Sequence, residues 1–236
     1  MHALTAALLA AALGLYAAGV ALLWRRAGAG RGITWRNVGC FGLGWLAVAA
    51  ALLSPLHHHA ETRLWAHMVQ HELLMVVAAP LFMLARPIEA WTCAARPLGA
   101  LLVRCRAVFE GPILAWTLHA AAVLLWHIPA VFLAAVRDPW LHTAQHASFF
   151  LTALAFWWTV FAPRAHPFGA LMSLFTTMLY TGALGALMAL SRGSWYAGYA
   201  LEDQQLAGLV MWVPAGLAYS AAAVYVLLRR LKLAPG

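Results

Sequence analysis

Seven long stretches of this chain, roughly residues 4 to 24, 37 to 54, 64 to 84, 111 to 126, 140 to 162, 168 to 190 and 206 to 228, are almost wholly apolar. A water-soluble helix carries one apolar stripe, whereas these runs are apolar around most of their circumference. About 20 such residues cross about 30 Å of hydrocarbon as a helix, and a helix satisfies its own backbone hydrogen bonds where no water can. The expected fold is therefore all-α: a polytopic integral membrane protein with seven transmembrane helices. Composition agrees, since 64% hydrophobic residues, 9% charged residues and a mean hydropathy of +0.79 exclude an ordinary soluble domain. The whole of 1–236 reads as a single transmembrane helical domain.

Charge placement orients it. With seven spans and the N-terminus outside, Arg25, Arg26, Arg31, Arg36, Arg86, Arg96, Arg104, Arg106, Arg164, Arg229, Arg230 and Lys232 all fall on the cytoplasmic side, twelve of the fifteen basic residues. Only Arg63, Arg137 and Arg192 fall outside. An even helix count would break this alternation, so the C-terminus is expected in the cytoplasm. The first run has no basic segment before it and Arg25-Arg26 directly after it, the pattern of a retained helix rather than a cleaved signal. The net charge of +8 is then an orientation signal and calls for no nucleic-acid partner.

One motif rises above this background. Trp65-Ala66-His67-Met68-Val69-Gln70-His71 returns 75 residues later as Trp140-Leu141-His142-Thr143-Ala144-Gln145-His146, so W-x-H-x-x-Q-H occurs twice. Histidines at i and i+4 share a helical face, and two such helices facing each other present four ring nitrogens to one region, which suits a metal ion. Imidazoles in apolar helices are costly unless paired or coordinated. By this topology His67, His71, His127, His142 and His146 lie near the outer face, as do His57, His58 and His59 in the loop before the third run. Each of His57, His58, His59 and His127 alone reads more readily as an interfacial polar group than as a ligand. Pro-containing outer loops before both copies suggest a duplicated pair of helices, about 37–84 and 111–162.

Other residues have plainer readings. Gln70 and Gln145 suit interhelical hydrogen bonds, and Trp65, Trp126, Trp140 and Trp195 suit an outer aromatic belt. Met75 continues the His67 and His71 stripe, and Met188 and Met211 could add thioethers, which suit copper(I) better than zinc, although most methionines here should be packing. Glu202 and Asp203 favour a helix N-terminus. Glu72, a carboxylate well inside a span, is expected to pair with His119 at similar depth or to stay protonated against a backbone carbonyl. Cys40, Cys93 and Cys105 show no C-x-x-C spacing, and the inner loop that holds the last two, roughly 85 to 110, allows a short interfacial helix. No phosphate loop or nucleophile elbow is present.

Taken together, Ser54-Pro55-Leu56, His67 through His71, Ala79-Pro80-Leu81, Trp126-His127-Ile128-Pro129, His142 through His146, and Asp203-Gln204-Gln205-Leu206-Ala207-Gly208 with Met211-Trp212 resemble the multi-helix CtaG family of cytochrome c oxidase assembly factors, not the single-pass copper chaperone of the same name. The resemblance implies a bacterial plasma (inner) membrane protein that helps to mature a haem-copper oxidase at its copper centre. It implies oxidase subunits or other copper-handling proteins as partners, and it adds His127 and Asp203 to His67, His71, His142 and His146 as metal-site residues. The expectation is thus a copper-binding assembly protein that is not an enzyme. Two rivals stay open: a haem-binding electron carrier, and a seven-helix zinc-dependent hydrolase.

Overall fold

A computed structural model describes residues 2–108, 111–162 and 166–231. Of the basic residues expected on the cytoplasmic side, Arg164 and Lys232 lie outside the described residues. Every described element is helical: α1 (His2–Ala27), α2 (Trp35–Leu53), α3 (Pro55–Ala60), α4 (Leu64–Glu72), a π-helical turn (Leu73–Ala78), α5 (Ala79–Ala85), α6 (Pro87–Ala94), α7 (Arg96–Val108), α8 (Pro112–Trp126), α9 (Pro129–Arg137), α10 (Pro139–Phe161), α11 (Pro167–Ala189) and α12 (Leu201–Arg230).

Among the described residues, five segments are long and apolar enough to cross a membrane: Ala3–Ala27, Trp35–Leu53, Leu64–Ala85, Pro167–Ala189 and Leu201–Arg229. A sixth arises if α8 and α9, bent by 79° at the break before Pro129, count as one. The seven expected runs are therefore matched in five or six places, and the remaining differences have distinct causes. α8 has only 15 residues. α10 has 23 but carries His142, Gln145 and His146, so the residues that make it interesting also dilute its apolarity.

The third span is not a plain helix. Pro80 has no N–H to continue the ladder, and the preceding Ala79 N–H bonds back to Leu74 O, five residues away. Met75 O is thereby released, and the buried Trp157 indole of α10 donates to it at 2.8 Å. Met75 belongs to the apolar cluster that holds Phe149, Phe156 and Trp157. Met188 and Met211 likewise sit in an apolar cluster with Leu64, Met68, Phe132 and Tyr196.

α11 and α12 approach closely through small residues: a Cβ on Gly185 would collide with Gly208 O, and one on Gly208 with Gly185 O. The inner loop holds two short helices rather than one. α6 lies on α1, where Trp91 donates to Ala12 O at 3.3 Å and Ala90 fills the space that Gly19 leaves open.

Candidate metal centre

Four elements bring the histidines together. α4 supplies His67 and His71, α10 supplies His142 and His146, the C-terminal end of α8 supplies His127, and α3 lays His57 against the rim. His67 and His71 stand 4.5 Å apart between ring centroids, His142 and His146 4.4 Å. Across the helices, His67 lies 5.1 Å from His142 and 5.7 Å from His146, and His71 lies 5.3 Å from His146 and 5.9 Å from His127. The i,i+4 repeat thus does what its spacing implies: two helical faces meet with imidazoles on both.

Within this cluster one trio is tightest. His67, His71 and His146 each offer a ring nitrogen, and these three atoms lie within 4.8 Å of one another. His67 and His71 are each 1% exposed and His146 7%. His67 Nε2, both nitrogens of His71 and His146 Nε2 have no hydrogen-bond partner among the described residues. Leaving one buried polar atom unmet costs about 1–3 kcal/mol, so four lone nitrogens in one apolar pocket are a large local cost unless something else binds them. A metal ion would take one nitrogen from each of the three rings, the donors being already converged, and the donor set fits a soft or borderline cation.

His127 is prepared differently. Its Nδ1 lies 2.6 Å from Val123 O, one turn back, and because a carbonyl only accepts, Nδ1 carries the proton. Nε2 is then a bare acceptor, buried and unpartnered among the described residues. Metal-binding imidazoles are commonly oriented by such a bond on their other nitrogen. The His127 carbonyl is in turn held by the Tyr196 hydroxyl at 2.8 Å, and burial pushes that loop phenol well above its ordinary range, keeping it a donor.

Asp203, by contrast, is not brought into the ring cluster. Its Oδ2 accepts from Leu64 N–H at 2.9 Å and its Oδ1 from Trp65 N–H at 3.1 Å. A side chain on α12 therefore caps the first turn of α4, whose own preceding residue, Arg63, makes no side-chain cap. Its neighbours extend the clamp: Gln204 Oε1 accepts from Trp195 N–H at 2.6 Å and Gln205 Nε2 donates to Ser191 O at 3.1 Å. The Asp203-Gln204-Gln205 run thus fixes the start of α4 and the loop bearing Tyr196. From sequence the acid reads as a cap on its own helix or a ligand; a cap acting over 139 residues leaves no local signal.

Gln70 bridges as expected, donating to Ala51 O at 2.5 Å with His57 Nδ1 3.1 Å away. Gln145 approaches His67 without forming a hydrogen bond of good geometry. Glu72 and His119 do not pair. His119 Nδ1 lies 3.1 Å from Thr152 Oγ1 on α10, while Glu72 Oε2 has no partner among the described residues and the carboxyl is close enough to Tyr219 of α12 to interact electrostatically. Helix rotation explains it: Glu72 follows His71 by one residue and so points about 100° away from the histidine face. His57 is the residue that the sequence undervalues. It stacks on His142 with centroids 6.0 Å apart and planes within 18°.

Residues 14–232 match the family described as cytochrome c oxidase caa3 assembly factor (Caa3_CtaG). The chain belongs to that family. No curated protein and no solved structure matches it. Membership makes this membrane protein an oxidase assembly factor, as the resemblance implied.

Proposed function

We propose that the protein binds one copper(I) ion through His67, His71 and His146, with His127 and His142 at hand as further donors, and that it acts in maturing the copper centre of its oxidase rather than as an enzyme. The observation that carries this reading is the convergence of three buried imidazoles, each with at least one ring nitrogen that no described residue meets. All are neutral donors with no carboxylate among them, so a monovalent ion brings the least net charge into an apolar setting. Imidazole suits copper, and the charge argument favours its monovalent form over zinc.

Geometry weighs against both rivals. The rings touch one another and are walled by Phe132, 4.9 Å from His67, and Phe149, 4.6 Å from His71, so a haem macrocycle would have to force α4 and α10 apart. A zinc hydrolase needs an acid or base beside the metal, and Asp203 is committed to the backbone of α4 while Glu72 faces α12.

In this reading α8 and α10 complete seven spans, the N-terminus lies outside, and the histidines face the outer side of a bacterial plasma membrane, where an oxidase subunit or another copper-handling protein meets them. Helix pairs 37–84 and 111–162 are read as repeats. The test joins metal and function: purified protein should hold copper and show no Soret band, and cells carrying His71→Ala should make normal amounts of it yet contain oxidase of reduced activity. Normal oxidase in a strain lacking both His71 and His146 rules the role out.

A further inference from the structure

The histidines are graded in depth, and the gradient has a direction. The His58 side chain is 88% exposed, His57 and His142 are half-buried, His146 is 7% exposed, and His67 and His71 are 1% exposed. Adjacent members are in ring contact throughout the inner part: His57 to His142 at 6.0 Å, His142 to His146 at 4.4 Å, and His142 to His67 at 5.1 Å. The other sides of the trio are closed by the fully buried Phe132 and Phe149. His142 Nε2 is buried and has no hydrogen-bond partner among the described residues. At the rim, Glu61 lies 3.5 Å from His58 and also acts electrostatically on the His142 ring.

We propose that His57 and His142 form a transit site for a soft monovalent cation, passing it by ligand exchange from the exposed surface of α3 to the buried trio, with Glu61 drawing cations to the mouth. The proposal rests on the copper reading above. A cation leaving water for an apolar pocket loses its hydration all at once unless donors replace it stepwise. The His57 and His142 pair replaces the first waters while the ion is still partly solvated, His57 by turning the Nδ1 lone pair from the Gln70 amide to the ion, and His142, in contact with both His67 and His146, hands it inward. No bond to carbon or change of oxidation state is involved; imidazole lone pairs exchange on one ion. A carboxylate near a half-buried mouth raises the local cation concentration and the rate of capture.

A transit site separates rate from affinity. Full-length protein in detergent, mixed rapidly with copper(I) or silver(I) released from a weak chelator, gives the loading rate, and chelator competition gives the equilibrium affinity. His57→Ala and His57→Phe, the second keeping a ring and losing the lone pairs, should each load on the order of tenfold more slowly, while affinity changes less than about threefold and the stoichiometry is unchanged. Glu61→Gln should slow loading a few-fold, an effect that shrinks in high salt. His71→Ala should instead abolish tight binding. Wild-type loading rates in both His57 variants overturn the transit site alone, as does a loss of affinity in them matching that of His71→Ala, which would make His57 a ligand of the buried site. Failure of the wild-type protein to take up either ion overturns the copper reading and the transit site together.

Discussion

The two copies of W-x-H-x-x-Q-H have the same spacing and very different surroundings. On α4, Ala66, His67, Met68, Gln70 and His71 are all buried; on α10, Trp140 is 76% exposed, Leu141 and Thr143 are exposed, and His142 is half-buried. The starts of the two helices differ in the same sense. α10 is capped by its own Asp138, which accepts from Trp140 N–H at 2.7 Å and Leu141 N–H at 3.0 Å at the surface. α4 is capped by the buried Asp203 of a distant helix. A repeated motif thus supplies the donors, while packing decides what each copy does: the α4 copy is locked in the interior, and the α10 copy spans from interior to rim.

The sharpest way to break this asymmetry is to remove equivalent histidines. His71→Ala should lower copper affinity by more than about 100-fold, beyond the range usual for an outer-shell partner, whereas His142→Ala should cost about tenfold or less. Because His71 and His146 belong to one site, His71→Ala combined with His146→Ala should cost less than the sum of the single changes in a competition titration. Strict additivity would mean two independent sites, one on each helix.

The caps come next in size. Asp203→Ala strips acceptors from two N–H groups at the start of α4, one of them on the fully buried Leu64, and should destabilise the protein by about 1–3 kcal/mol, with copper affinity falling about tenfold as His67 loses its fixed position. Asp138→Ala should cost about 1 kcal/mol and change affinity by less than about threefold. Thermal unfolding with and without copper separates the two. Equal losses of affinity would show that the α10 copy is as tightly held as the α4 copy.

The smallest expected effect is at His166, which opens α11 away from the cluster: His166→Ala should leave copper binding unchanged.

Much of this is legible in the sequence because the determining interactions are local. Seven apolar runs and two i,i+4 histidine pairs can be read from spacing alone, and the helical faces meet as that spacing implies. The illegible remainder depends on distant or compensating contacts. Asp203 acts on a helix far away in the chain. The π-helical turn involves Pro80 together with Trp157, 82 residues from the carbonyl it binds. His57 gains its place only because α3 folds over the mouth between α4 and α10. Glu72 and His119 share a depth but not a helical face, and depth is all that the sequence offers.

X-ray absorption on the copper-loaded protein tests the central claim most directly, since it reads ligand type and number at the metal itself. The account predicts copper(I) bound by three imidazole nitrogens, with the multiple-scattering pattern of the rings, and loss of that spectrum in His71→Ala. A spectrum dominated by sulfur, or imidazole ligation that persists unchanged in His71→Ala, would contradict it.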